Sequence, residues 1–486
     1  MSSSLKSKTL HGLFWSFCER FSEQGIQFVI SIILARLLLP EQFGLIAMLT
    51  IFMAIAESFI DSGFGSALIQ KKNATHADEC SIFYFNILVG CLVAGLLCLA
   101  APWIAAFYNQ PILTMLTRVL SLNLIINSFG LIQSSLLTRH VDFKTQLKVS
   151  VIATLLSGII GITMAYRGFG VWSLVAQSLS TNLFRTTLLW IFHRWRPALR
   201  FSLTSLRTMF AFGSKLLLSG LFDRFFQNIY SLVIGKIFTP AALGFYSRAQ
   251  RLQELPVQNI QSSVSRVTFP VFSSIQEDKP RLKRGVRKAL MTLAMVNFPM
   301  MIGLAVVAKP LVLVLLTDKW LPCVPYLQLF CAVGMLYPLQ AINLNVLKAQ
   351  GRSDLFLKLE IFKKVLVVVA ILITYRWGIL SLLVGQIVTS VLSYFLNTHY
   401  TGKLLRYPIT QQIRDIMPSL ILATMMGGAI SMFHYVPISS DMLLLLVQII
   451  AGILIYLLLC RLCHIPSFME VIALAKPKFV NPKGVR

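Results

Sequence analysis

Long apolar runs alternate with short polar, often basic, segments along almost the whole chain. Each run is about twenty residues, the length an α-helix needs to cross the hydrocarbon core of a bilayer. Hydropathy and helix breakers together predict spans near 13–36, 43–66, 81–105, 112–136, 148–166, 170–192 and 209–238. Seven more are predicted near 243–270, 288–317, 323–347, 361–377, 379–399, 414–435 and 441–463. Pro40, Pro111, Gly168-Phe169-Gly170, Pro240 and Pro408 fall in the connections, where a helix stops readily. The pattern predicts an all-α polytopic membrane protein with about fourteen transmembrane helices.

The basic residues orient those spans. One alternate set of ends and loops holds 30 of the 44 Lys and Arg residues, the other set holds 6, and 8 lie inside spans. Lys71, Arg139, Arg194 and the cluster from Lys279 to Lys288 belong to the rich set; Arg36, Arg167, Lys236 and Arg376 belong to the poor one. Cytoplasmic loops carry such an excess of positive charge. The bias predicts both termini in the cytoplasm, and hence an even number of spans. Lys6 and Lys8 precede the first apolar stretch, which Glu19, Arg20 and Glu23 interrupt without a following A-x-A site. That stretch reads as a retained span, not a signal peptide.

Composition agrees. Hydrophobic residues make up 56% of the 486 and charged residues 13%, with a mean hydropathy of +0.74. A water-soluble domain carries about twice that charge. The net charge of +26 does not indicate nucleic acid, because a nucleic-acid binder gathers its cations on one wet face. Here they sit in short clusters between membrane-length runs.

The chain repeats at an offset of 200. Glu23-Gln24, Gln27, Ser31, Ala35-Arg36-Leu37, Pro40 and Gly44 are echoed by Asp223-Arg224, Gln227, Ser231, Gly235-Lys236-Ile237, Pro240 and Gly244. Six spans separate the copies, so both share one topology about an axis along the membrane normal. The expected organisation is a six-helix lobe over 1–207, a second over 208–402, and two additional helices with a cytoplasmic tail over 403–486.

Charges inside spans carry the candidate chemistry, since an ionisable group at the bilayer centre costs about 2.5–3.5 kcal/mol and usually faces a cavity or a partner. The basic ones are Arg20, Arg118, Arg185, Lys215, Arg224, Arg248, Arg251 and Arg266. The acids are Glu19, Glu23, Glu57, Asp61, Asp223 and Glu254. Arg20, Gln24, Gln27 and Ser31 share one helical face, as do Arg248, Arg251, Glu254, Gln258 and Gln261; Glu57 and Asp61 are one turn apart. Such stripes predict a hydrated cavity between the lobes, rich in guanidinium forks suited to phosphate oxygens. Mutual neutralisation that fixes helix packing is the competing reading for any single residue. Arg185 and Arg266, near cytoplasmic ends, can simply snorkel.

No metal-ligand cluster, nucleotide-binding loop or nucleophile–base pair stands at telling spacing, so neither cofactor nor enzymatic activity is expected. Cys460-Arg461-Leu462-Cys463-His464 matches the haem-attachment pattern. It closes the last span on the expected cytoplasmic side and reads as span residues with an interfacial His.

The run Ile33-Leu34-Ala35-Arg36-Leu37-Leu38-Leu39-Pro40-Glu41-Gln42-Phe43-Gly44, followed by Asp61-Ser62-Gly63-Phe64-Gly65, resembles the start of a bacterial polysaccharide flippase. So does Gly235-Lys236-Ile237-Phe238-Thr239-Pro240-Ala241-Ala242-Leu243-Gly244-Phe245-Tyr246-Ser247-Arg248. The chain is similar to the Wzx-type polysaccharide transporters of the multidrug/oligosaccharidyl-lipid/polysaccharide exporter superfamily, nearest the colanic-acid exporter-like branch. That resemblance implies an undecaprenyl-pyrophosphate-linked oligosaccharide as substrate. It would be flipped from the cytoplasmic to the periplasmic leaflet of the bacterial inner membrane by alternating access, for lipopolysaccharide or exopolysaccharide synthesis. It maps substrate binding onto Arg20, Arg118, Lys215, Arg224, Arg248 and Arg251. Glu23, Glu57, Asp61 and Asp223 are the candidates for ion coupling. Membrane lipid, a polysaccharide polymerase and chain-length proteins are the implied partners. Multidrug efflux, peptidoglycan-precursor flipping and a membrane polymerase or ligase are the alternatives. The Arg-rich spans weigh against the first, and short predicted periplasmic loops against the last.

Overall fold

A computed structural model describes residues 2–475 apart from 62, 72–73 and 437–439. Described residues are helical nearly throughout, with no strand among them. They divide into two compact units, 1–247 and 248–486. The first contains α1 (Ser2–Leu37), α2 (Pro40–Asp61), a short α3 (Phe64–Gln70), α4 (His76–Tyr108), α5 (Ile112–Arg139), α6 (Phe143–Tyr166), α7 (Val171–Phe192) and α8 (Leu203–Ile237). Helix α9 (Pro240–Ser274) begins in the first unit and continues into the second. There follow α10 (Lys279–Val306), a short α11 (Ala308–Leu315), α12 (Val324–Ala349), α13 (Ser353–Thr374), α14 (Ile379–Leu405), α15 (Ile409–Ser431), α16 (Asp441–Leu462) and α17 (Pro466–Ala475).

Fourteen of these helices have between 22 and 36 residues. Nine segments among the described residues are long and apolar enough to cross a membrane. Helices α1, α7, α8, α9 and α13 fall below that threshold. Four of them hold Arg20, Arg185, Arg224 and Arg251 inside the helix, and α13 carries Lys363 and Lys364. In-span charge lowers their mean hydropathy while leaving their length sufficient.

The exposed faces are the apolar ones. On α4, Leu88, Leu92, Leu96, Leu99 and Trp103 are more than half exposed, and their spacing of three and four puts them on one side of the helix. That stripe suits lipid, not water. Helix contacts inside the units combine buried apolar clusters with polar side-chain bonds. Asn123 of α5 donates to Ser178 Oγ of α7 (3.0 Å) and accepts from Asn182 Nδ2 (2.9 Å). Thr181 of α7 donates to Ser157 Oγ of α6 (2.8 Å). In the second unit, Asn297 Nδ2 of α10 donates to the Met335 carbonyl of α12 (2.9 Å). Between apolar helices in lipid, small residues and side-chain hydrogen bonds supply the adhesion that water exclusion supplies in soluble cores.

Helix ends follow local chemistry. Thr75 and Asp78 form a reciprocal capping box at the start of α4, and Asp78 also pairs with Lys71 (2.7 Å). Asp142 and Asp278 cap α6 and α10 by accepting from Thr145 N (3.1 Å) and Arg281 N (2.9 Å). One predicted span, 288–317, is instead two helices, broken after Val306. Pro310 explains the break, because its ring collides with the carbonyl four residues earlier and it has no N–H to donate.

Candidate functional site

The in-span charges fall into three groups, two in the first unit and one in the second. In the first group, Glu19 of α1 is in electrostatic contact with Glu23, with Arg20 beside it, and with Arg185 of α7. Arg20 is exposed and Glu23 half-buried. Periodicity places Arg185 near the cytoplasmic end of its span and cannot pair it with a helix five spans away.

The second group joins α2 to α8. Glu57 and Asp61, one turn apart on α2, both lie in electrostatic reach of the Arg224 guanidinium. All three side chains are exposed. The Arg224 carbonyl accepts from Asn228 Nδ2 (2.8 Å), which helps fix the local face of α8. Asp223 precedes Arg224 and is exposed as well. Asp61 Oδ1 also lies 3.7 Å from the position a Cβ on Gly65 would take, so the start of α3 stays within van der Waals reach of the carboxylate. The Lys215 side chain lies outside the described residues.

The third group is the start of α9. Arg251 is exposed and in electrostatic contact with both Arg248 and Glu254. Glu254 Oε1 accepts from Gln250 Nε2 (2.7 Å). Arg248 is different: it is 7% exposed, and its guanidinium lies 5.4 Å from the centre of the Trp320 ring. Trp320 is fully buried. A guanidinium over an indole face is a favourable cation–π pair, stronger when shielded from water. The polar stripe foreseen on α9 is therefore divided, with Arg251 and Gln258 open and Arg248 turned into protein. Nothing in the spacing of the sequence pairs Arg248 with a tryptophan some seventy residues away. Arg118, exposed on α5, enters none of the three groups.

Among the described residues, no group of three or more His, Cys, Asp or Glu is placed to hold a metal ion. At the end of α16, Cys460 is buried and Cys463 exposed. An exposed guanidinium faced by carboxylates within one unit, as Arg224 is by Glu57 and Asp61, can bind an anionic head group reversibly. Displacing a carboxylate from an arginine costs far less than uncovering a buried unpaired charge.

Helix order, lipid-facing apolar stripes and in-span charge define a multi-pass helical membrane protein of transporter fold. The fold is similar to that of a lipid II flippase MurJ in an inward closed conformation, with a TM-score of 0.76 and 13% identity, covering 95% of this chain and all of that one. An inward-facing multidrug resistance MATE transporter gives a TM-score of 0.62 at 14% identity, covering 79% of this chain and 96% of that one. The chain belongs to the polysaccharide biosynthesis protein family, whose pattern matches residues 33–325. It is 30% identical to lipopolysaccharide biosynthesis protein WzxC of Escherichia coli (strain K12) over 404 residues, 81% of each chain. It is also 30% identical to teichuronic acid biosynthesis protein TuaB of Bacillus subtilis (strain 168), over 83% of this chain and 85% of that one. Succinoglycan biosynthesis transport protein ExoT of Rhizobium meliloti (strain 1021) is 29% identical over 70% of this chain and 69% of its own length.

Proposed function

We propose that this protein is a flippase for lipid-linked oligosaccharides, carrying undecaprenyl-pyrophosphate-linked repeat units from the cytoplasmic to the periplasmic leaflet. Family membership across residues 33–325 is the observation that carries this reading. The exposed arginines inside α1, α8 and α9 supply the chemistry, because guanidinium forks pair with the oxygens of a pyrophosphate. Arg20, Arg224 and Arg251 hold the head group, with Arg118 and Lys215 as further candidates, while the prenyl tail stays in the bilayer. Arg248, packed on the Trp320 ring, anchors the start of α9 from which Arg251 projects.

The six-helix lobes 1–207 and 208–402 rock against each other, and residues 403–486 add two further helices, giving fourteen spans with both termini in the cytoplasm of a bacterial inner membrane. Glu57, Asp61, Asp223 and Glu23 are the carboxylates available to couple an ion to that motion. The chain transports and catalyses no covalent step; a polymerase and chain-length proteins take up its product in the periplasm.

The test is deletion of the gene followed by leaflet-specific labelling of undecaprenyl-pyrophosphate glycans. The expected result is accumulation on the cytoplasmic leaflet, rescued by the wild-type chain and not by Arg224→Ala with Arg251→Ala. Accumulation on the periplasmic leaflet would assign the defect to polymerisation or ligation and overturn the flippase reading.

A further inference from the structure

The repeat at an offset of 200 brings its own two copies into contact. Gly44, in the first turn of α2, lies so close to α9 that a Cβ there would fall 1.7 Å from the Pro240 carbonyl oxygen. Gly244, in the first turn of α9, is the mirror case: its Cβ would fall 2.0 Å from the Pro40 carbonyl oxygen and 3.3 Å from Gly44 N. Each Pro-x-x-x-Gly turn therefore presses its glycine onto the other's proline carbonyl, backbone on backbone.

A compact apolar cluster surrounds the crossing. A Cβ on Gly235 would meet Tyr108, Met48 and Leu243 at 3.0, 3.1 and 3.2 Å. Those three side chains are 4%, 1% and 0% exposed. At the adjoining end of α4, Lys236 Nζ donates to the Phe107 carbonyl (2.5 Å).

We propose that the Pro40–Gly44 and Pro240–Gly244 crossing, with the Met48, Tyr108 and Leu243 cluster beside it, is the gate on the periplasmic side of the transport path. This rests on the flippase reading and on the orientation given by the basic loops. No hydrated head group passes between two backbones in van der Waals contact. The two proline–glycine turns also keep their own helical hydrogen bonds as they part, although Lys236 Nζ must release the Phe107 carbonyl. Proline at the head of each helix has no N–H to lose, and its carbonyl bonds within its own helix to the N–H four residues on. Glycines let two helices approach closely without interlocking side chains, so the surface parts cleanly, unlike the amide-linked contact of α5 with α7.

A methyl group at either glycine cannot share space with a main-chain carbonyl, so it raises the free energy of the closed state alone and shifts the population toward the open one. The experiment uses the full chain in intact cells, with the eight native cysteines replaced and a reporter Gln27→Cys on α1. Labelling by a membrane-impermeant maleimide is compared for the parent, Gly44→Ala, Gly244→Ala and, as a control, Gly95→Ala, whose Cβ would meet nothing within 4 Å. Both crossing variants are expected to label about tenfold faster than the parent, and the control at the parent rate. Parent-like labelling in Gly44→Ala and Gly244→Ala, at normal membrane levels, would overturn the gate.

A second variant avoids any question of folding. Glu41→Cys with Ala241→Cys, bridged by a reversible bifunctional thiosulfonate, is expected to stop glycan flipping until a reductant is added; unimpaired flipping while bridged would overturn the gate. The labelling readout needs no substrate. Faster labelling in the alanine variants, together with no glycan accumulation in the deletion strain, would therefore leave the gate standing and remove the flippase reading.

Discussion

Arg248 and Trp320 form a shielded pair, guanidinium over indole at 5.4 Å, in which neither side chain is more than 7% exposed. Burying a guanidinium is costly, and the ring face returns part of that cost as a cation–π attraction of about 2 kcal/mol. The pair fastens the start of α9 to the segment between α11 and α12. Trp320→Leu is expected to destabilise the chain by about 3–5 kcal/mol, since it leaves a cavity and removes the ring face from the guanidinium. Trp320→Phe keeps the ring face and is expected to lose roughly half as much. Thermal unfolding in detergent micelles orders the two variants; equal losses would show that the ring face contributes nothing.

Arg224 faces two carboxylates, Glu57 and Asp61. Arg224→Lys keeps the charge and loses the planar fork, so flipping is expected to fall about tenfold, the worth of one charged hydrogen bond. Arg224→Ala is expected to abolish it. Leaflet-resolved labelling of lipid-linked glycans reads both. A fully active lysine variant would reduce the role of Arg224 to that of a point charge.

Removing the carboxylates separates pairing from transport. Glu57→Gln with Asp61→Asn leaves Arg224 without its acidic neighbours on α2, so the free site is expected to bind anionic head groups more tightly and release them more slowly. Transport by the double variant should then fall while binding of a soluble pyrophosphate to purified protein rises several-fold. Loss of both together would place Glu57 and Asp61 in the architecture of the helix pair instead.

The two halves of the repeat imply a definite topology. Fluorescent-protein fusions after Arg139, Gln276 and Arg352 are expected to fluoresce, and alkaline phosphatase fusions after Gln110, Gly168 and Tyr435 to be active, because basic loops stay in the cytoplasm. A phosphatase-active fusion after Arg139 would invert the first unit and with it the side assigned to the gate.

The sequence showed the helices well because each span is a long apolar run, and a run needs no partner to be visible. Pro310 was visible too, but its effect on the 288–317 span depended on whether lipid or protein would absorb a kink. The repeat at Pro40–Gly44 and Pro240–Gly244 was equally plain as spacing. That the two copies touch could not be read, since a backbone contact between glycines leaves no side-chain signature. The charged residues were identifiable one by one. Their groupings were not, because Glu19 with Arg185 and Arg248 with Trp320 join helices far apart in the chain. Periodicity reports which face a residue occupies, and tertiary packing decides what that face meets.

Asn123 bonds two residues of α7 that lie one helical turn apart, Ser178 and Asn182. It works as a pawl seated between two teeth. Sliding α7 along α5 by less than a turn would unseat both bonds in a medium that offers no water to replace them. Helices α5 and α7 must then travel as one piece through any transport cycle, and the compliance of the first unit has to reside in its smooth, glycine-lined contacts.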